Sequence, residues 1–82
     1  MQHPLVEQNF RPFTSLLDSG YTVLVEIGDL VQDKQVWPEQ VLRVTVTLPD
    51  GDIKWKIFRG VKSRSQANQW LGEITAGAIR AI

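Results

Sequence analysis

Asp50 and Asp52 flank Gly51, and two carboxylates so spaced are the least that general acid–base chemistry or a divalent cation would require. No base, nucleophile or further ligand stands beside them. The same residues are turn formers, because proline fixes the first corner of Leu48-Pro49-Asp50-Gly51 and glycine accepts the positive φ that follows. His3 is the sole histidine and has no second ligand near it. Ser15, Ser19, Ser63 and Ser65 have no histidine other than His3 to act as base, which excludes a hydrolase triad. Gly60-Val61-Lys62-Ser63 ends as a phosphate-binding loop ends but lacks the upstream glycine. There is no cysteine, so neither a disulfide framework nor a thiolate metal site is available. The chain reads as non-enzymatic, with no cofactor, metal or catalytic residue expected.

The cations are more informative. Net charge is zero, yet residues 1–39 carry two basic and six acidic groups while residues 40–82 carry seven basic and three acidic ones, balances of −4 and +4. Lys54, Lys56, Arg59, Lys62 and Arg64 follow one another without an intervening acid. Together with Arg43 they are the candidate contacts for nucleic acid or for an acidic partner; the plainer reading is a solvated face. Two aromatics stand near polar residues. Phe58, alternating with Lys54 and Lys56, is expected on the open sheet face, where an aromatic among cations suits base stacking. Trp37, before Pro38, either folds back over a core edge or anchors a partner.

These residues need elements to position them. The 82 residues suffice for one domain (residues 1–82) and one core, and the 43% apolar content is that of a globular chain. Apolar runs fall far short of the roughly 20 residues of a membrane-spanning helix, and the N-terminus lacks signal-peptide features, so a cytoplasmic protein with no membrane association is expected. Pro4 to Asp18 carries Leu5, Phe10, Phe13, Leu16 and Leu17; from Phe10 onward the spacing suits one face of a short helix, which Pro12 would have begin near Arg11 and Ser19-Gly20 would stop. Tyr21 to Ile27 reads as a strand, and Gly28 to Gln40 as a long polar loop. Val44, Val46 and Leu48 alternate with Arg43, Thr45 and Thr47; after the turn, Ile53, Trp55 and Ile57 alternate with Lys54, Lys56 and Phe58. This is a β-hairpin, and its apolar members are assigned to the core. Ser63 or Ser65 is expected to cap a last helix over about 64–81, with Ala67, Trp70, Leu71, Ile74, Ala78, Ala81 and Ile82 on its packed stripe. Gly72, Ala76 and Ile79 lie together on that helix's flank, either as the seat of the first helix or as a dimer seam. The fold class is α+β, ordered α-β-β-β-α: a three-stranded antiparallel sheet with both helices on one face and the other face open.

This order of elements resembles the double-stranded-RNA-binding domain over almost the whole chain. The likeness is most specific where Gly60 leads into Ser63-Arg64-Ser65-Gln66-Ala67-Asn68. Family members place serine, two lysines, any residue, alanine and a third lysine there, as cations at a helix N-terminus beside RNA phosphates. Ser63 and Ala67 match and Arg64 keeps one charge, whereas Ser65 and Asn68 have lost theirs. The Gly-His pair of the family's first strand loop has no counterpart in the acidic Gly28–Gln40 segment. The resemblance therefore implies the fold more than the RNA contacts. A local likeness, from Leu48-Pro49-Asp50-Gly51 to Trp70-Leu71-Gly72-Glu73-Ile74, is to the arm-type DNA-binding domains of integrases. It would place Arg43, Thr45, Thr47, Lys54 and Lys56 on an open, DNA-reading sheet face.

Two functions follow as expectations. The first is a protein–protein interaction or homodimerisation module, degenerate in its RNA contacts, with an unidentified protein or a second copy as partner. The alternative is weak binding of duplex RNA or DNA through the basic 54–64 segment.

Overall fold

A computed structural model describes residues 10–32 and 35–82, with side chains described for 10–29 and 41–82. His3, Leu5 and the side chain of Trp37 lie outside those residues.

Ser19-Gly20 is a hairpin turn and not a helix stop. Ser19 has φ 54° and Gly20 φ 83°, and two successive positive φ values give the two-residue turn whose twist matches flanking strands. Asp18 pairs with Tyr21, then Leu16 with Val23 and Thr14 with Val25. The segment expected as a helix is thus strand β1 (Arg11–Asp18), at one edge of the sheet. Phe13, Leu16 and Leu17 fit a helical stripe and a bulged strand equally. Pro12 favours the strand, since an edge position beside the register shift between Pro12 and Thr14 has no need of its missing N–H.

Residues 28–40 are not a loop either. Strands β2 (Tyr21–Gln32) and β3 (Gln35–Thr47) pair along their length. Asp29 pairs with Gln40 and Leu30 with Trp37, so Pro38 and Glu39 are extra residues of a bulge. A bulge accommodates proline without breaking a ladder bond. Strand β4 (Ile53–Arg59) completes an antiparallel sheet ordered β1-β2-β3-β4, and helix α1 (Ser63–Ile74) lies on one face. The protein is α+β, with four strands and one helix among the described residues in place of the expected three and two.

The β3–β4 turn sets the faces. Gly51 N–H donates to the Leu48 carbonyl at 2.9 Å and Leu48 N–H to the Asp52 carbonyl at 2.7 Å. Gly51, at φ 92°, is the extra residue of a glycine bulge after the turn. Thr47 therefore pairs with Ile53, Thr45 with Trp55 and Arg43 with Ile57, so the apolar row of β4 shares the face of Thr45 and not of Val44. The burial follows: Ile53 is 60% and Trp55 62% exposed, whereas Phe58 is only 6% exposed. The core assignments of Ile53 and Trp55, and the open-face assignment of Phe58, are both corrected.

On the helix side Val23, Val25, Leu42, Val44 and Val46 form the floor, and Phe58, Ala67, Leu71 and Ile79 close the core over it. Trp70 is half-buried and meets Phe58 edge to face at 5.8 Å. Neither serine caps α1 at its start. Lys62 is the N-cap residue and has no side-chain cap bond, while Ser63 is buried as the first helical residue.

The helix ends at Ile74, short of the expected 81. Gly77 N–H donates to the Gly72 carbonyl (2.7 Å) and Ala76 N–H to the Glu73 carbonyl (3.3 Å), the paired bonds of a Schellman end with Ala76 left-handed at φ 53°. Buried Thr75 then turns the chain back: its Oγ1 donates to the Leu71 carbonyl (2.8 Å) and accepts from Ile79 N–H (3.1 Å). Ile79 thereby enters the core, and Ala78 and Ala81 stay exposed. Ile82 N–H bonds Asn68 Oδ1 at 3.0 Å, which ties the tail to the helix.

Two stability changes follow. Ala76→Gly removes a left-handed penalty and should stabilise by about 1 kcal/mol, raising Tm by roughly 4–8 °C in calorimetry. Thr75→Val leaves the Ile79 N–H buried without a partner and should cost about 1–3 kcal/mol in urea denaturation.

Candidate functional site

Side-chain alternation divides the cations that the sequence groups together. Register puts Arg43, Thr45 and Thr47 on the open face with Ile53, Trp55 and Ile57, and puts Lys54 and Lys56 on the helix side with Val44 and Val46. The set of Arg43, Lys54 and Lys56 expected on a single open face is therefore not assembled. Lys54 Nζ lies 3.7 Å from Asp52, and Lys56 Nζ lies 5.8 Å from the centre of the Phe58 ring. Arg59 is exposed at the end of β4. Lys62 and Arg64 are exposed at the start of α1, with the Arg64 guanidinium 5.6 Å from the Phe13 ring centre.

The suggested seam of Gly72, Ala76 and Ile79 is not a helix flank. Gly72 belongs to α1, Ala76 to its capping turn, and Ile79 is buried; a Cβ at Gly72 would meet the Ile79 carbonyl at 3.9 Å. That position receives the chain's own tail. Trp37 lies in β3, paired by register with Leu30.

The open face is built from alternate residues of all four strands. Leu17 pairs with Thr22 and Ser15 with Leu24; Thr22 pairs with Thr47, Leu24 with Thr45 and Glu26 with Arg43. At its centre Arg43 holds Glu26 through two parallel bonds, Nε–Oε1 at 2.8 Å and Nη2–Oε2 at 2.9 Å, the bidentate geometry in which arginine exceeds lysine. Phe10 stacks on the same guanidinium, 4.4 Å from ring centre to Cζ. Those hydrogen bonds raise the Arg43 pKa above the ordinary arginine value, partial burial opposes the shift, and Coulombic attraction to Glu26 adds to it. A raised value means that the contribution is present below the ordinary range and is lost only as pH climbs beyond it. Arg43 therefore remains charged at every neutral pH.

Around this neutral pair the face mixes hydroxyl residues with exposed apolar ones. Leu17 is 75% exposed, and with Ile53 and Trp55 it leaves three large apolar side chains facing solvent on one side of the sheet. Trp55 borders a shallow hollow of about 220 Å³ that it shares with Glu26, Arg43 and Thr45. Sequence reasoning missed Leu17, Glu26, Ile53 and Trp55 as surface residues; the signal was the loop length, since an odd count of residues between Thr47 and Ile53 aligns odd with odd. On the other side a groove of about 400 Å³ runs between β4 and α1. Among the described residues no three His, Cys, Asp or Glu side chains gather as a metal site would require.

Comparison with family models, curated proteins and solved structures finds no match for this chain.

The Glu26–Arg43 pair should be measurable. A double-mutant cycle with Glu26→Gln and Arg43→Met should give a coupling of about 1 kcal/mol, the upper end for a partly exposed pair. Guanidinium would screen it, so urea is the denaturant to use.

Proposed function

We infer that the chain is a non-enzymatic protein-interaction module that self-associates through its open sheet face. The observation that carries this reading is the outward row Ile53, Trp55 and Ile57 on β4, on a face that α1 does not cover, with Leu17 exposed on the same face at the far edge of the sheet. Contiguous exposed apolar surface with a polar surround is characteristic of interaction sites. A second copy suits it on two counts. The face holds its charge internally in the Glu26–Arg43 pair, so an identical face brings no unpaired charge to it. A projecting Trp55 also stands beside a hollow on the same surface, the self-complementary arrangement that a two-fold interface uses twice. Four strands spaced about 4.8 Å apart and about seven residues long offer roughly 440 Å² of flat area per copy. Two such faces bury about 880 Å² in total, below the range of standard specific interfaces, which corresponds to a weak, reversible dimer.

The double-stranded-RNA-binding likeness is kept as the proposed fold relationship. It is supported by three consecutive antiparallel strands followed by α1, with β1 standing where that family has its first helix. Weak duplex binding draws less support, because Arg43 and the two lysines occupy opposite faces of the sheet.

Sedimentation equilibrium tests the self-association. The wild type should pass from monomer to dimer over roughly 10–500 μM, the range of weak small interfaces. Trp55→Lys should remain monomeric with an unchanged circular dichroism spectrum, since Trp55 supports no core packing. A wild type that is monomeric throughout that range sinks the reading.

A further inference from the structure

Strand β4 is the outer strand opposite β1, so one of its edges has no neighbour in the described sheet. The ladder alternation shows which backbone groups that edge presents. Leu48 bonds Asp52, so every second pair after it, Val46–Lys54 and Val44–Lys56, is a hydrogen-bonded pair. The N–H and C=O groups of Ile53, Trp55 and Ile57 therefore point away from β3. Beside this edge, on the helix side, lies the groove lined by Lys56, Phe58, Gln66, Gln69, Trp70 and Glu73.

We propose that this edge binds an extended peptide as a fifth strand, and that the peptide alternates acidic and apolar residues. The alternation follows from what each side of an added strand would meet. Side chains directed to the helix side stand next to Lys54 and Lys56 and are selected for carboxylates; those directed to the open side stand next to Ile53, Trp55 and Ile57 and are selected for apolar or β-branched residues. The amides of Gln66 and Gln69 add neutral donors on the groove's far wall. Glu73 lines the groove and Asp52 lies 3.7 Å from Lys54 Nζ, and these two acids limit how many carboxylates are accepted.

A second copy of this chain is the wrong occupant for this edge. Two-fold antiparallel pairing centred on Trp55 would set Lys54 of each strand opposite Lys56 of the other, and like charges directly opposite are destabilising. Lysine on an edge strand guards against such pairing, and an acidic strand is what passes that guard. Self-association uses the open face and strand addition uses the backbone edge, but both border Ile53, Trp55 and Ile57, so the titration is read on protein dilute enough to be monomeric.

The test uses the acetylated, amidated peptide Glu-Val-Glu-Val-Glu-Val. Controls are Lys-Val-Lys-Val-Lys-Val, the block peptide Glu-Glu-Glu-Val-Val-Val and an oligothymidylate of matching charge. Titration at low salt by calorimetry should show binding of the alternating acidic peptide alone, with new hydrogen-exchange protection at the Ile53, Trp55 and Ile57 amides. Lys54→Glu/Lys56→Glu should weaken it at least about tenfold, as loss of charge-assisted contacts does, and transfer the preference to the lysine peptide. Glu73→Gln should tighten it. Ile57→Pro removes an outward donor and leaves the β3 ladder intact, so it should abolish binding even if the double charge reversal fails to fold. Equal binding of the block peptide overturns the strand-addition geometry. Absence of binding by the alternating peptide, or oligothymidylate binding that the peptide does not displace, overturns the proposal.

Discussion

Gly51 holds a left-handed φ of 92° with nothing within 4 Å of where a Cβ would stand, so conformation and not space demands glycine there. The bulge it makes adds one residue to the turn between Thr47 and Ile53. Side chains in a strand alternate with a period of two, and one residue more or fewer exchanges the whole of β4 between faces. With the bulge in place, Phe58 enters the core against Trp70 and Leu42, while Trp55 and Ile53 leave it. Without it, both tryptophans would crowd the helix side and the lysines would stand in the open beside Arg43. The distribution of charge and apolar surface over the domain is decided at this turn.

The helix end is a second constraint, and it acts on core volume. A helix continuing to 81 would carry Ile79 on its flank, beside the packed stripe and not in it. Ala76 and Gly77 instead take left-handed conformations, and the Thr75 hydroxyl donates to the Leu71 carbonyl and accepts from the incoming Ile79 N–H. The last eight residues thus contribute Ile79 and part of Ile82 to a core that a twelve-residue helix alone covers incompletely. A left-handed alanine costs about 1 kcal/mol, which the burial of Ile79 repays in this small domain.

Much of this was legible in the sequence and some was not, for reasons that are local. Alternation from Arg43 to Leu48 and the Pro49-Asp50-Gly51 turn announced the hairpin, and Ala67 and Leu71 announced the packed helix face. What failed was the assignment of turn residues by identity without their φ signs. Ser19-Gly20 suits a helix stop and a two-residue hairpin turn equally, and only the pairing of Leu16 with Val23 distinguishes them. Pro38 in a polar stretch reads as loop until a bulge is allowed for. At the candidate surface the residue types are legible but the face is not: assigning Ile53, Trp55 and Ile57 to the core with Val44 and Val46 places Lys54 and Lys56 beside Arg43, whereas loop parity separates them.

Strand β4 consequently presents three different chemistries in three directions. Its odd residues offer apolar surface with the open face, its lysines stand at the helix-side rim, and its backbone offers donors and acceptors along the edge. A central strand has no such freedom, because its neighbours use both edges. The order β1-β2-β3-β4 leaves a second edge at β1, but that strand carries Pro12 and a register shift between Pro12 and Thr14, features that discourage an added strand. β4 contains no proline and keeps a regular register with β3. Regular edge, alternating side chains and adjoining groove coincide on β4, so recognition of an extended partner falls to that strand and not to β1.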